Sequence, residues 1–214
     1  MYSRVLAILL AVSPAAFAVE PAAQFDAHGC RSCHKIGDRG GNSGPDLTFV
    51  GVRRPQAWIE KWLRDPRGFK HDTLMPKQGL SSSDLGALSD YLSAQKGQAW
   101  SGHKPWDNVP ASERGRTIYV RAGCVACHGP AGRGGHPNPG AHGGIIPALA
   151  PLMATYKKDE LITKIRRGVI PEIHGGPPAE VNMPGWEGVL TDAETEALAD
   201  YLITLASAEP KSDW

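Results

Sequence analysis

The chain has 214 residues, with 23 Lys and Arg against 22 Asp and Glu, and 41% of its residues are hydrophobic. Near-neutral charge excludes a nucleic-acid footprint, which shows as a strong excess of clustered cations. Divided after Trp100, the two halves differ only slightly in charge, as ordinary solvated faces do.

Arg4 precedes an apolar run from Val5 to Val12, Pro14 breaks it, and Ala16-Phe17-Ala18 has the small-x-small pattern of a signal-peptidase site. Residues 1–18 are predicted to be a secretory signal, cut between Ala18 and Val19. The run is too short for a membrane span, which needs about 20 apolar residues, and no cysteine lies near the cut to carry a lipid. The expected product is soluble and periplasmic, with no membrane anchor after cleavage. Loss of Arg4 leaves its basic and acidic side chains equal in number.

Next comes a short segment bearing Phe25, then Cys30-Arg-Ser-Cys33-His34. Two thiols three positions apart on a helical segment sit on neighbouring turns, so each can bond one side of a porphyrin. The following histidine is delivered to the iron as an axial ligand. A Gly-rich loop follows, ending in Pro45-Asp-Leu47. Trp58, Ile59, Trp62 and Leu63 then share one helix face, with Pro55 at its start and Pro66 beyond its end. After Met75-Pro76, a last amphipathic helix carries Leu85, Leu88, Tyr91 and Leu92, with Ser81 and Asp84 as its capping residues.

The same series then repeats. Tyr119 takes the place of Phe25, and Cys124-Val-Ala-Cys127-His128 the place of the first motif. Pro147-Ala-Leu149, a helix with Leu161, Ile162 and Ile165, Met183-Pro184, and a final helix with Leu198, Tyr201, Leu202 and Leu205 follow in order. Arg166 and Arg167 suit the negative end of the middle helix, Gly168 its stop, and Thr191 with Glu194 the capping box of the last. The second copy is longer only in its loops. The predicted units are residues 19–96 and 112–208, joined by a Gly- and Pro-bearing linker, 97–111, and followed by a tail, 209–214. Trp100 and Trp106 in the linker are read as packing it against both units. No strand pattern rises above noise, so the expected fold is all-α: two tandem helical domains, each wrapped around one covalently held haem c.

Other uses of the four cysteines fit less well. Two intervening residues make a poor disulfide loop and leave His34 and His128 unexplained. A zinc site would ignore both histidines and close a long stretch of chain, and a thioredoxin-like pair wants a βαβ pattern that is missing. For the far side of each iron, Met75 and Met183 stand at equivalent positions, whereas Met153 has no counterpart and is assigned to packing. His71 near Met75, and His136, His142 and His174 in the second copy's loops, are the competing ligands; His28 and His103 are unremarkable. A ligating imidazole donates its other N–H to a fixed acceptor, and the carbonyls of Pro45 and Pro147 are at equivalent places to accept it.

Each half resembles a class I cytochrome c domain in its aromatic-bearing first helix, Cys-x-x-Cys-His, Pro-x-Leu loop, Met-Pro loop and final Tyr-Leu helix. The resemblance implies covalent haem at Cys30, Cys33, Cys124 and Cys127, and iron ligation by His34 with Met75 and by His128 with Met183. It further implies proline carbonyls of Pro45 and Pro147 on the histidines, and terminal helices crossing at Phe25/Tyr91 and Tyr119/Tyr201. The stretch GPDLTFVGVRR with LMP is similar to haem domains of terminal oxidases and nitric oxide reductases; AGCVACHGPAGRGG with NMPGW is similar to those serving periplasmic dehydrogenases. The expected function is one-electron transfer, not catalysis, between a periplasmic or membrane-bound donor (a dehydrogenase or quinol-oxidising complex) and an acceptor (a terminal oxidase or reductase), by transient docking. The alternatives are an electron-transfer subunit of a larger complex and a dihaem peroxidase with one open iron position.

Overall fold

The computed structural model describes residues 20–100, 102–171 and 176–207; the predicted signal 1–18, the tail 209–214 and His174 lie outside the described residues. The first unit consists of helices α1 (Pro21–Ala27), α2 (Cys30–Cys33), α3 (Val50–Arg53), α4 (Gln56–Arg64), α5 (Pro66–Phe69) and α6 (Ser82–Ser93). The second consists of α7 (Ala111–Arg121), α8 (Val125–His128), α9 (Leu149–Met153), α10 (Lys158–Arg167) and α11 (Asp192–Thr204). The fold is all-α. Among the described residues its one small sheet is a hairpin of β1 (Lys35–Ile36) and β2 (Arg39–Gly40), with Lys35 opposite Gly40. A two-residue strand is too short to leave a period-2 pattern in the sequence.

The helix ends follow local chemistry. Pro55 caps α4, whose Ile59 and Leu63 are buried. Gly168, at φ 76°, stops α10 after its basic last turn. The Ser81 hydroxyl accepts from the Asp84 N–H at 3.1 Å to start α6. At α11 the box is reciprocal: Glu194 N–H donates to Thr191 Oγ1 at 3.2 Å, and Thr191 N–H to the Glu194 carboxylate at 2.8 Å. Each such cap contributes about 1 kcal/mol.

First and last helices of each unit cross through an aromatic pair. Phe25 and Tyr91 lie 6.0 Å apart in the first unit, Tyr119 and Tyr201 5.5 Å apart in the second. The second crossing depends on Gly115, where a Cβ would sit 2.0 Å from the Ala197 carbonyl oxygen of α11. Any side chain there pushes the helices apart.

The two units interlock. Phe49, from the first, lies 5.5 Å from Trp100, 6.4 Å from Trp106 and 5.7 Å from Trp186, all within the second unit's core. Both linker tryptophans are buried. Trp106 Nε1–H donates to the Glu194 carboxylate at 2.6 Å, and Lys104 Nζ donates to it at 2.8 Å. Arg121 of α7 reaches the first unit, bonding the Asp46 carboxylate at 2.7 Å and the Gly37 carbonyl at 2.9 Å. Trp100 and Trp106 thus anchor the linker in the core.

Glu194 closes one helix and pins the linker. Burial alone would raise its carboxyl pKa, but the bonds from Lys104 and Trp106 outweigh burial and hold it below the ordinary 4.5. A depressed carboxylate contributes stability that is complete above the unfolded pKa and is lost as pH falls through the folded one. Glu194→Gln is expected to cost about 2 kcal/mol at neutral pH, measured by chemical denaturation. Its unfolding midpoint should also vary less than the parent's as pH is lowered from 5 to about 3.

Candidate functional site

In the second unit, α8, α9, α10 and the chain before α11 surround a cavity of about 480 Å³, within the size range of small-molecule and cofactor sites. Cys124, Cys127, His128 and Met183 all line it, so the motif and the Met-Pro loop predicted to act together do meet here. The rest of the wall is mainly apolar, including Ile146, Leu149, Met153, Leu161, Ile165 and Leu202. Met183 is fixed by its backbone, exchanging hydrogen bonds with Val169 just beyond α10, N–H to O at 2.9 and 3.0 Å. Tyr119 closes the far side, its hydroxyl donating to the Gly129 carbonyl at 2.6 Å.

The site's chemistry follows from burial. The Cys124 thiol is pushed up to about 12 and stays protonated. The His128 imidazole is brought down to about 4, mainly by burial and further by His136 nearby, so it is neutral with a lone pair to donate at pH 7. A deep apolar space bearing two thiols, a neutral imidazole and a thioether on its wall suits a large apolar iron macrocycle. The donor set and cavity fit haem c. None of the four cysteines is in a disulfide, and among the described residues no group of three or more His, Cys, Asp or Glu is arranged to hold a metal ion by itself.

In the first unit, His34 Nδ1 lies 2.9 Å from the Pro45 carbonyl, the orienting hydrogen bond expected there. Gly44 makes the approach possible, because a Cβ at that position would stand 2.6 Å from His34 Cε1. Burial again lowers the imidazole pKa, against the opposing effect of the Pro45 bond. Cys30 and Met75 pack against one apolar cluster containing Phe25, Ile59 and Leu88, while Cys33 is exposed. The Met75 sulfur accepts from Trp62 Nε1–H at 3.0 Å, and Trp62 stacks on Trp58 with centroids 5.4 Å apart.

The copies differ at one predicted detail. Pro147 lines the second cavity, but His128 Nδ1 is buried with no hydrogen-bond partner among the described residues, so the Pro147 carbonyl does not repeat the role of Pro45. The longer loop explains it: a 3₁₀ turn at Pro130–Gly132 follows the motif, and Gly134 N–H bonds the His128 carbonyl, so Pro147 arrives by a different path. Of the competing histidines, His142 lines the cavity, His136 lies near His128 and His71 is exposed; of the two unremarkable ones, His103 is exposed and His28 pairs with Asp84 at 3.6 Å. Met153, assigned to packing, is buried and forms part of the wall. Sequence reading placed Trp62 on a helix face and Arg53 and Arg54 within GPDLTFVGVRR, but gave none of the three a role at either site. Arg53 of α3 lines the second unit's cavity, and Arg54 Nη2 lies 3.1 Å from Cys127 Sγ.

The family model described as Cytochrome c matches the chain twice, at residues 18–96 and 112–206. No curated protein and no solved structure matches it.

Two glycines separate a site requirement from a neutral position. Gly44→Ala is expected to displace the His34 ring and cost about 2 kcal/mol. Gly86→Ala, inside α6 with open space at its Cβ, should gain about 0.5–1 kcal/mol from helix propensity. Denaturation of both variants checks the pair.

Proposed function

The chain belongs to the cytochrome c family, with two tandem domains, and from that premise we propose that it is a periplasmic dihaem carrier whose two haems are His/Met-ligated. It takes single electrons from a dehydrogenase or quinol-oxidising complex and yields them to a terminal oxidase or reductase. Each haem c, when bound, supplies an iron that alternates between ferric and ferrous forms.

The side chains have distinct tasks. Cys30 with Cys33, and Cys124 with Cys127, would hold the macrocycles through thioethers. His34 and His128, both kept neutral by burial, would ligate the irons through an imidazole. Met75 and Met183 would supply a thioether to each iron, which favours the reduced state. Trp62 N–H draws electron density from the Met75 sulfur and orients it. The apolar wall excludes water, which keeps the reorganisation on electron transfer small. Docking to partners needs only a small interface, below about 1,200 Å². The observation that carries this reading is the single cavity wall on which Cys124, Cys127, His128 and Met183 converge.

A redox titration of the holoprotein, followed in the long-wavelength absorption of thioether-bound ferric iron, tests it. Two one-electron steps and two equivalents of that band are expected. Met75→Ala and Met183→Ala should each abolish one equivalent, and the double variant both; an unchanged band in either single variant refutes that ligand. Trp62→Phe keeps an aromatic side chain but removes the N–H, and should disfavour reduction at the first site by about 0.5–1 kcal/mol.

A further inference from the structure

Arg53 is the last residue of α3 in the first unit, yet its side chain forms part of the second unit's cavity wall. It is 8% exposed, and a Cβ on Gly123, the residue before Cys124, would lie 2.7 Å from its Cζ. Among the described residues the guanidinium makes one hydrogen bond, from Nη2 to the Asp46 carbonyl at 2.8 Å, and its Nε has no partner. The Asp46 carboxylate itself is engaged by Arg121 at 2.7 Å and by Thr48 N–H and Oγ1. Among the described residues the cavity wall holds a second cation, Lys164, and no Asp or Glu. A buried charge without an ionic partner is costly, so a cation retained on this wall needs something to act on inside the cavity.

We infer that Arg53 is a positioning residue contributed in trans: the first domain places a fixed positive charge beside Gly123, Cys124 and Cys127 on the wall of the second domain's haem site, and this charge raises that haem's reduction potential. This rests on the dihaem reading and goes beyond it, because the second site is then incomplete without the first unit. The electrostatic sign is fixed. One-electron reduction lowers the positive charge at iron by one, and a neighbouring cation favours that product, most strongly in a medium of low dielectric. Gly123 accommodates this reach, because a side chain there would collide with the guanidinium. Arg54, with its guanidinium 4.5 Å from the Trp58 ring and bonded to Cys127 Sγ, reinforces the same junction.

The test is a spectroelectrochemical titration of full-length holoprotein carrying Arg53→Gln, Arg53→Lys or Arg121→Gln. Arg53→Gln is expected to retain two haems and lower one midpoint by a tenfold change in its reduction equilibrium, about 59 mV for one electron. Arg53→Lys keeps the charge and should hold both midpoints within about threefold of the parent. Arg121→Gln breaks a different link between the units, at a residue that does not line the cavity, and should do likewise. Two intact haems with unmoved midpoints in Arg53→Gln would overturn the inference. So would an equal shift in Arg121→Gln, which would make the effect one of interface integrity. Should Arg53→Gln fail to mature, a tenfold shift in Arg53→Lys, with its charge intact, also overturns it. Parent protein without two c-type haems would instead defeat the proposed function.

Discussion

A cavity that the chain's own side chains line but do not fill is the constraint on which the second unit is organised. About 480 Å³ of mainly apolar space is held open between α8, α9, α10 and the segment bearing Met183. Its donors arrive from separate directions: two thiols and an imidazole from one helical turn, a thioether from a strand-like pair with Val169. A unit of this size has too little apolar surface to be robust by itself. A bound macrocycle would add the missing contact, which is why the donor residues and the core residues are neighbours throughout.

The second theme is that the two units are not beads on a string. Phe49 enters an aromatic group with Trp100, Trp106 and Trp186, and Glu194 fastens the linker to α11. Asp46 is the junction. Its neighbour Pro45 orients His34, its carbonyl holds Arg53, and its carboxylate holds Arg121. The setting of the first site's histidine and the charge at the second site's wall therefore share one short loop. For an electron carrier with two centres, such sharing gives a physical means for the state of one to be felt at the other.

Much of this was legible in the residues. The duplicated Cys-x-x-Cys-His, the Met-Pro pairs and the apolar stripes of α4, α6, α10 and α11 announced helices and donors because those signals are local and periodic. Caps at Ser81 and Thr191 and the stop at Gly168 followed from short-range chemistry. What escaped was long-range. That Arg53 crosses into the other unit, that Trp62 bonds Met75, and that His128 lacks the proline carbonyl given to His34 all depend on how loops return in space. The β1–β2 hairpin escaped for want of length.

The central claim is that both Cys-x-x-Cys-His motifs hold a haem by covalent bonds. The most direct measurement is the intact mass of the matured protein under denaturing conditions. The account predicts the mass of the polypeptide plus two haems, with no thiol left to alkylate. A mass equal to the bare polypeptide, with four alkylatable cysteines, would contradict it.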